Sequence, residues 1–204
     1  MCNATISIDK DIVDSLRGLY FGDLSDLFYA AAHRAYCDFN RTLRLKKILD
    51  DDQSDALCNQ GIAVLKNAFQ SVNSTSIKHQ DAFDKWHRDT AKKLIALYKA
   101  VHVNMFYGQA QKWINMTAKY MYLIGLDKFE GVFQYLHIPI DNYVLDLGLS
   151  IFDIGKPNKA WSQLNEVEYF RYQELLRSSI ESDSPLRWEF HNWLALARSL
   201  SNNP

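Results

Sequence analysis

Only three cysteines occur in this chain of 204 residues, Cys2, Cys37 and Cys58. The number is odd and the spacing matches neither a metal site nor a disulfide framework, so a reduced, intracellular setting is expected. Four prolines and eight glycines are too few for a collagen-like or disordered chain. Charge of one sign is also missing. A net charge of −1 gives no global pull toward nucleic acid, and any such contact must come from a local patch. No apolar run approaches the ~18 residues of a membrane span. The start of the chain, with Asp9, Lys10, Asp11 and Asp14, lacks the apolar stretch of a signal peptide. A soluble, cytoplasmic protein with no membrane partner is expected. The six histidines show no metal-binding spacing, and Asp50-Asp51-Asp52 reads as an acidic loop without further ligands, so neither a metal nor a small-molecule cofactor is expected.

What the chain does have is core-forming material, 48% hydrophobic and 13% aromatic residues, arranged with helical periodicity. Asp23 is placed to cap a helix through Leu24, Leu27, Phe28, Ala31, Ala35, Phe39 and Leu43. Ser54 or Asp55 starts a second helix, with Leu57, Ile62, Leu65 and Phe69 inward. After the polar turn Ser71 to Ser76, a long helix runs from about Asp81 through Trp86, Leu94 and Val101. Gly108 breaks the pattern. Further helices are predicted from about Gln109 to Ile124, after Pro139 and Asp141, from about Ser162 to Ile180, and after Ser184-Pro185. Alternation at Thr5 to Ile8 is only weakly strand-like. Nothing divides the chain, so a single all-α domain over residues 1–204 is predicted, and its uneven helix lengths argue against a simple bundle.

The stretch richest in chemistry is Tyr107-Gly108-Gln109-Ala110-Gln111-Lys112, followed by an apolar helix and then Ile138-Pro139-Ile140-Asp141. A small-residue turn ahead of a helix can aim backbone N–H groups at a phosphate. It delivers Lys112 into the first helical turn, where the macrodipole and burial beside Trp113 disfavour the ammonium and favour a nucleophilic amine. Lys112, Asn115 and Lys119 share one helix face. Asp141, two residues after a proline that excludes helix before it, is a natural N-cap, held ionised and suited to a cationic transition state.

This order resembles the helix-hairpin-helix superfamily of base-excision DNA glycosylases, in which a hairpin of roughly Gly-Val-Gly-x-Lys is followed by Val/Ile-Pro-Val-Asp. Here Gly108-Gln109-Ala110-Gln111-Lys112 and Ile138-Pro139-Ile140-Asp141 take those places, with Ala110 at the second hairpin glycine. The separation of lysine and aspartate, 29 residues, and the Gln111-Lys112 dipeptide are nearest the archaeal 8-oxoguanine glycosylase branch. The resemblance covers about 40 residues, Tyr107 to Leu147. It implies two helical lobes with a cleft between them, Lys112 as nucleophile, Asp141 as catalytic carboxylate, and as partner a DNA duplex carrying a damaged or modified base. The expected activity is glycosylase with abasic-site lyase chemistry in base excision.

A flipped base needs stacking walls and amide readers. Trp113, Tyr143, Trp161 and Trp188 are candidates for the first role, and Gln109, Gln111 and Gln173 for the second. Two basic stretches, Arg41 to Lys47 and Lys85 to Lys99, are candidates for phosphate contact, and Lys92 and Lys93 would make such contacts if they lie near the Gly108 turn. Two other classes compete: a non-enzymatic helical interaction or ligand-sensing protein, and a helical RNA-cleaving toxin, for which Arg187-Trp188-Glu189-Phe190-His191 is the nearest arginine–histidine cluster.

Overall fold

In a computed structural model, residues 10–181 and 183–201 are described, with backbone only for 10, 11 and 194–201. The described residues are all-helical. Eight α-helices follow in order: α1 Lys10–Phe21, α2 Leu27–Cys37, α3 Asp51–Phe69, α4 Gln80–Ala100, α5 Tyr107–Leu123, α6 Asn142–Phe152, α7 Glu166–Ser179 and α8 Pro185–Ser201, with short 3-10 turns between some of them. Cys2 and the alternation at Thr5 to Ile8 lie outside the described residues, as do the side chains of Leu194, Leu196 and Leu200. No described helix is long and apolar enough to cross a membrane.

Capping explains where several boundaries differ from expectation. Asp23 does not cap α2; it accepts from the backbone and hydroxyl of Ser25 in a local turn. Asp26 takes the cap by accepting from Tyr29 N. The acidic triplet is not a loop. Asp50 is the N-cap of α3 and exchanges hydrogen bonds with Gln53 in a capping box, while Asp51 and Asp52 sit in the first turn, where the macrodipole favours anions. Helix α1 had no forerunner in the sequence reading.

Helix α5 is the axis of the fold. Fifteen consecutive residues, Tyr107 to Met121, are buried, and α5 packs most extensively against α2. Such complete burial leaves the polar residues of α5 no water, so each needs a protein partner. Trp113 is fully buried; its indole N–H donates to Ala32 O at 2.9 Å. Its ring fits because residue 61 on α3 is glycine, where a Cβ would lie 2.2 Å from the indole. Trp113 is therefore a core residue and not a wall for a base.

Beneath α5 lies a buried polar chain. Tyr107 Oη donates to His87 Nδ1 (2.9 Å), and His87 Nε2 donates to Asn115 Oδ1 (3.1 Å). Asn115 Nδ2 donates to Tyr169 Oη (2.9 Å), which donates to His137 Nδ1 (2.8 Å). His137 Nε2 then donates to Asp84 (2.8 Å). This assignment gives both imidazoles one donor and one acceptor nitrogen and satisfies them as neutral rings. Burial holds both histidines below their ordinary range, His87 far below. A lowered folded pKa means that their contribution is complete above about pH 6.5 and is lost as pH falls. Each histidine then costs up to about 1.4 kcal/mol per pH unit. The urea midpoint should therefore drop between pH 7 and pH 5; an unchanged midpoint would show that these imidazoles are not buried neutral.

Candidate active site

Lys112 projects from the first half of α5 and Asp141 caps α6. The two meet: Lys112 Nζ lies 2.6 Å from Asp141 Oδ2. The lysine side chain is 6% exposed and the aspartate 20%. Asp141 divides its oxygens, Oδ1 accepting from Val144 N at 3.0 Å and Oδ2 facing the lysine. An ammonium has three N–H donors, and Asp141 is the sole acceptor of one among the described residues.

The pair is held by amides. Gln111 Nε2 donates to Ile140 O (2.8 Å), and Gln111 Oε1 accepts from Ile140 N (3.2 Å). Asn115 and Gln173 both donate to Ile138 O, at 3.3 and 2.6 Å. Pro139 removes one donor from this segment, and the amides satisfy Ile138 O and both backbone groups of Ile140. Asp141 follows directly, so the clamp on residues 138–140 aims its carboxylate at Lys112. Gln111 and Gln173 thus clamp backbone and do not face a base. Gln109 is also turned inward, accepting from Phe106 N and donating to Thr42 Oγ1.

The expected phosphate turn is absent. Gly108 lies inside the first turn of α5, Gly108 N donates to Leu164 O at 2.9 Å, and the N–H groups of Gln109 and Ala110 turn back to Phe106 O. Glycine is required at 108 for another reason: a Cβ would lie 2.0 Å from Trp161 O. Ala110 is fully buried. Lys92 and Lys93 do not border the cleft of Lys112. Both are exposed on α4, on the side away from buried Ala91 and Leu94; Lys92 pairs with Glu166.

Lys112 and Asp141 open onto a cleft of about 660 Å³ bordered by α2, α5, α6 and α8, within the range of ligand sites. Its walls are aromatic: Tyr20, Tyr143, Trp161, Phe190 and Trp193. Of the candidate stacking rings, Tyr143 and Trp161 line the same cleft as the lysine, whereas Trp188 stacks on Phe152 and does not line the cleft. A second ion pair borders the same space. Lys119 Nζ lies 2.7 Å from both oxygens of Glu189, with side chains 9% and 3% exposed, and it sits over the rings of Phe190 and Trp193. Burial pushes the Glu189 carboxyl up, against the pull of Lys119. At the rim Tyr120 Oη donates to Asp38 (2.6 Å), which also pairs with Arg34 (3.1 Å); the Arg34 guanidinium covers Tyr20 at 4.5 Å. Sequence reasoning missed Glu189, Phe190 and Trp193 as cleft residues. The available signal was a carboxylate set between Trp188 and Phe190, with Trp193 one turn on.

The arginine and histidine of the Arg187–His191 segment do not form a nuclease pair facing a cleft. Both side chains are more than half exposed and approach Asp183. Among the described residues no group of three or more His, Cys, Asp or Glu is arranged to hold a metal. Comparison with protein-family models, with curated proteins and with solved structures gives no match.

Three buried charged side chains and the partly buried Asp141 around one aromatic cleft are costly, because desolvation offsets most of the Coulomb gain of each pair. Two substitutions test the construction. Gly108→Ala should cost about 1–3 kcal/mol, since the obstructing atom is backbone, as read by denaturant melts; an unchanged midpoint would refute the close approach. Gln111→Leu should lose about 1–3 kcal/mol through the unpaired Ile140 groups, and hydrogen exchange at Ile140 should accelerate. Full protection there would show that the clamp is dispensable.

Proposed function

We propose that this chain is a DNA glycosylase with lyase activity, of the helix-hairpin-helix glycosylase type, that removes a damaged or modified base. One observation carries the reading: a lysine amine in contact with a carboxylate at 2.6 Å, in a cleft walled by aromatic rings. The sequence order from Gly108 to Asp141 supports it, and the two-lobed helical architecture of that superfamily is part of the same proposal. Enzymes that act on a base take it out of the stack and hold it between aromatic faces. Tyr143, Trp161, Phe190 and Trp193 line the same cleft as the lysine and can serve.

The chemistry follows from the pair. Lys112 passes a proton to Asp141 and becomes a neutral amine. The amine attacks C1′ of the extruded nucleotide as the glycosidic C–N bond breaks; the bonding electrons leave with the base, which takes up a proton. Asp141 gives its newly acquired proton to the departing base, and the carboxylate so restored stabilises the positive charge left on the sugar. Lysine nitrogen then loses a proton, O4′ gains one, the C1′–O4′ bond opens, and a protonated imine links Lys112 to C1′. The imine acidifies the C2′–H bond. Loss of that proton expels the 3′-phosphate and nicks the strand, and water hydrolyses the imine to release Lys112.

Borohydride reduces such an imine to a stable amine. Wild-type protein with a panel of duplexes carrying oxidised or otherwise modified bases should give a covalent adduct with at least one, and Lys112→Gln should abolish it. Asp141→Asn should slow base release by about 10²–10⁴ while DNA affinity stays within a fewfold. No adduct and no base release across the panel would remove the enzymatic reading. Ligand binding in the cleft without chemistry would then favour the sensing alternative.

A further inference from the structure

We infer that the loop between α2 and α3 is the surface on which the phosphodiester backbone of duplex DNA lies as it enters the cleft. This rests on the glycosylase reading, which needs a backbone-binding surface that the Gly108 turn does not supply: its N–H groups are consumed within the protein. Three observations converge on the loop.

The first is the pattern Arg41-Thr42-Leu43-Arg44-Leu45-Lys46-Lys47. Leu43 and Leu45 are buried, while Arg41, Arg44, Lys46 and Lys47 are exposed. The leucines fix the loop to the core and four cations face out. Among the described residues none of the four has a carboxylate within ion-pair distance, whereas Lys66, Lys85, Arg88 and Lys92 are each paired. Unpaired cations retain their counter-ion-releasing capacity toward phosphate.

The second is continuity. Arg41 borders two clefts at once, the one that holds Lys112 and Asp141 and a neighbouring groove of about 740 Å³ lined by Arg44, Lys46 and Lys47. Asp51 and Asp55 line one side of this groove, and four cations against two carboxylates leave it net positive. The third is mechanical coupling. Gln109 Nε2 donates to Thr42 Oγ1 at 3.0 Å, which ties the basic loop to the turn of α5 that precedes Lys112. A strand held on this loop is thereby set at a fixed distance from the nucleophile.

Phosphate contacts position a duplex without reading its sequence, and each contributes about 0.9 to the slope of log affinity against log salt. Affinity of the full chain for an undamaged duplex should be measured across about 50–200 mM salt. The triple variant Arg44→Gln/Lys46→Gln/Lys47→Gln should lower that slope by about two to three and weaken binding about tenfold or more. Lys92→Gln/Lys93→Gln should leave the slope unchanged. Equal thermal midpoints establish that the triple variant folds, and the single charge reversal Lys46→Glu provides a milder second test with the same sign. The inference is overturned by a triple variant that binds like wild type, by an equal loss in the Lys92/Lys93 variant, by tighter binding of duplex RNA than of DNA, or by no duplex binding at all. The glycosylase reading is judged separately. Borohydride adduct at saturating protein depends on Lys112 and not on the loop, so an adduct with an unchanged slope refutes only the surface. A changed slope without any adduct refutes only the chemistry.

Discussion

The side-chain amide of Gln111 pairs with both the N–H and the C=O of Ile140, and the candidate site depends on that pairing. Residues 138–140 belong to no helix or sheet, so the backbone groups of Ile140 would be unsatisfied without it. Gln111 supplies a donor and an acceptor in one planar group, and Asn115 and Gln173 complete the set at Ile138 O. The clamp fixes where α6 begins. Because α6 begins at Asp141, it also fixes where the carboxylate points, and Lys112 is the next residue after Gln111 on α5. A structural requirement of the backbone and a geometric requirement of the chemistry are thus met by adjacent residues.

The buried network beneath α5 serves the same end. Asn115 joins the clamp to His87 and Tyr169, and His137, just before the clamped segment, is anchored to Asp84. Hydrogen bonds to Asp84 from His137 and Gln80 and the nearby Arg177 charge outweigh the cost of burial and hold this carboxyl down to about 2. Such satisfied networks in a low-dielectric interior restrict the alternatives open to a packed segment. The result is a buttressed segment leading into Asp141.

The legible part of this fold was the local part. Asp141 as an N-cap, the helix from about Gln109, and the inward Leu57, Ile62 and Leu65 depend on neighbours within a few residues, and sequence spacing reports those. The lysine–aspartate contact was expected only from the order of small residues, lysine, helix and Pro-x-Asp and the resemblance that order carries, although the small residues proved to lie within α5. What was not legible depends on distant partners. Gly108 reads as a turn residue, yet its role is set by the approach of Trp161, and its N–H is taken by Leu164. Trp113 reads as a wall for a base, yet Gly61 opens the core to it. Glu189 is separated from Lys119 by 70 positions, and nothing within one turn of either announces the pair. Gln111 and Gln173 looked like readers of a ligand because an isolated amide does not disclose whether its partner is a base edge or the protein's own backbone.

The cleft contains two lysines, Lys112 and Lys119, each facing a carboxylate, and the account assigns the nucleophile to the first. Lys112 is the lysine opposite a cap whose second oxygen is held by helix backbone, whereas Lys119 is gripped by both oxygens of Glu189. The most direct measurement is mass mapping of the borohydride-reduced DNA adduct after proteolysis. The sugar remnant should be found on the peptide carrying Lys112, at its Nζ. A remnant on Lys119, or on any other lysine, would contradict the assignment even if the protein proved to be a glycosylase.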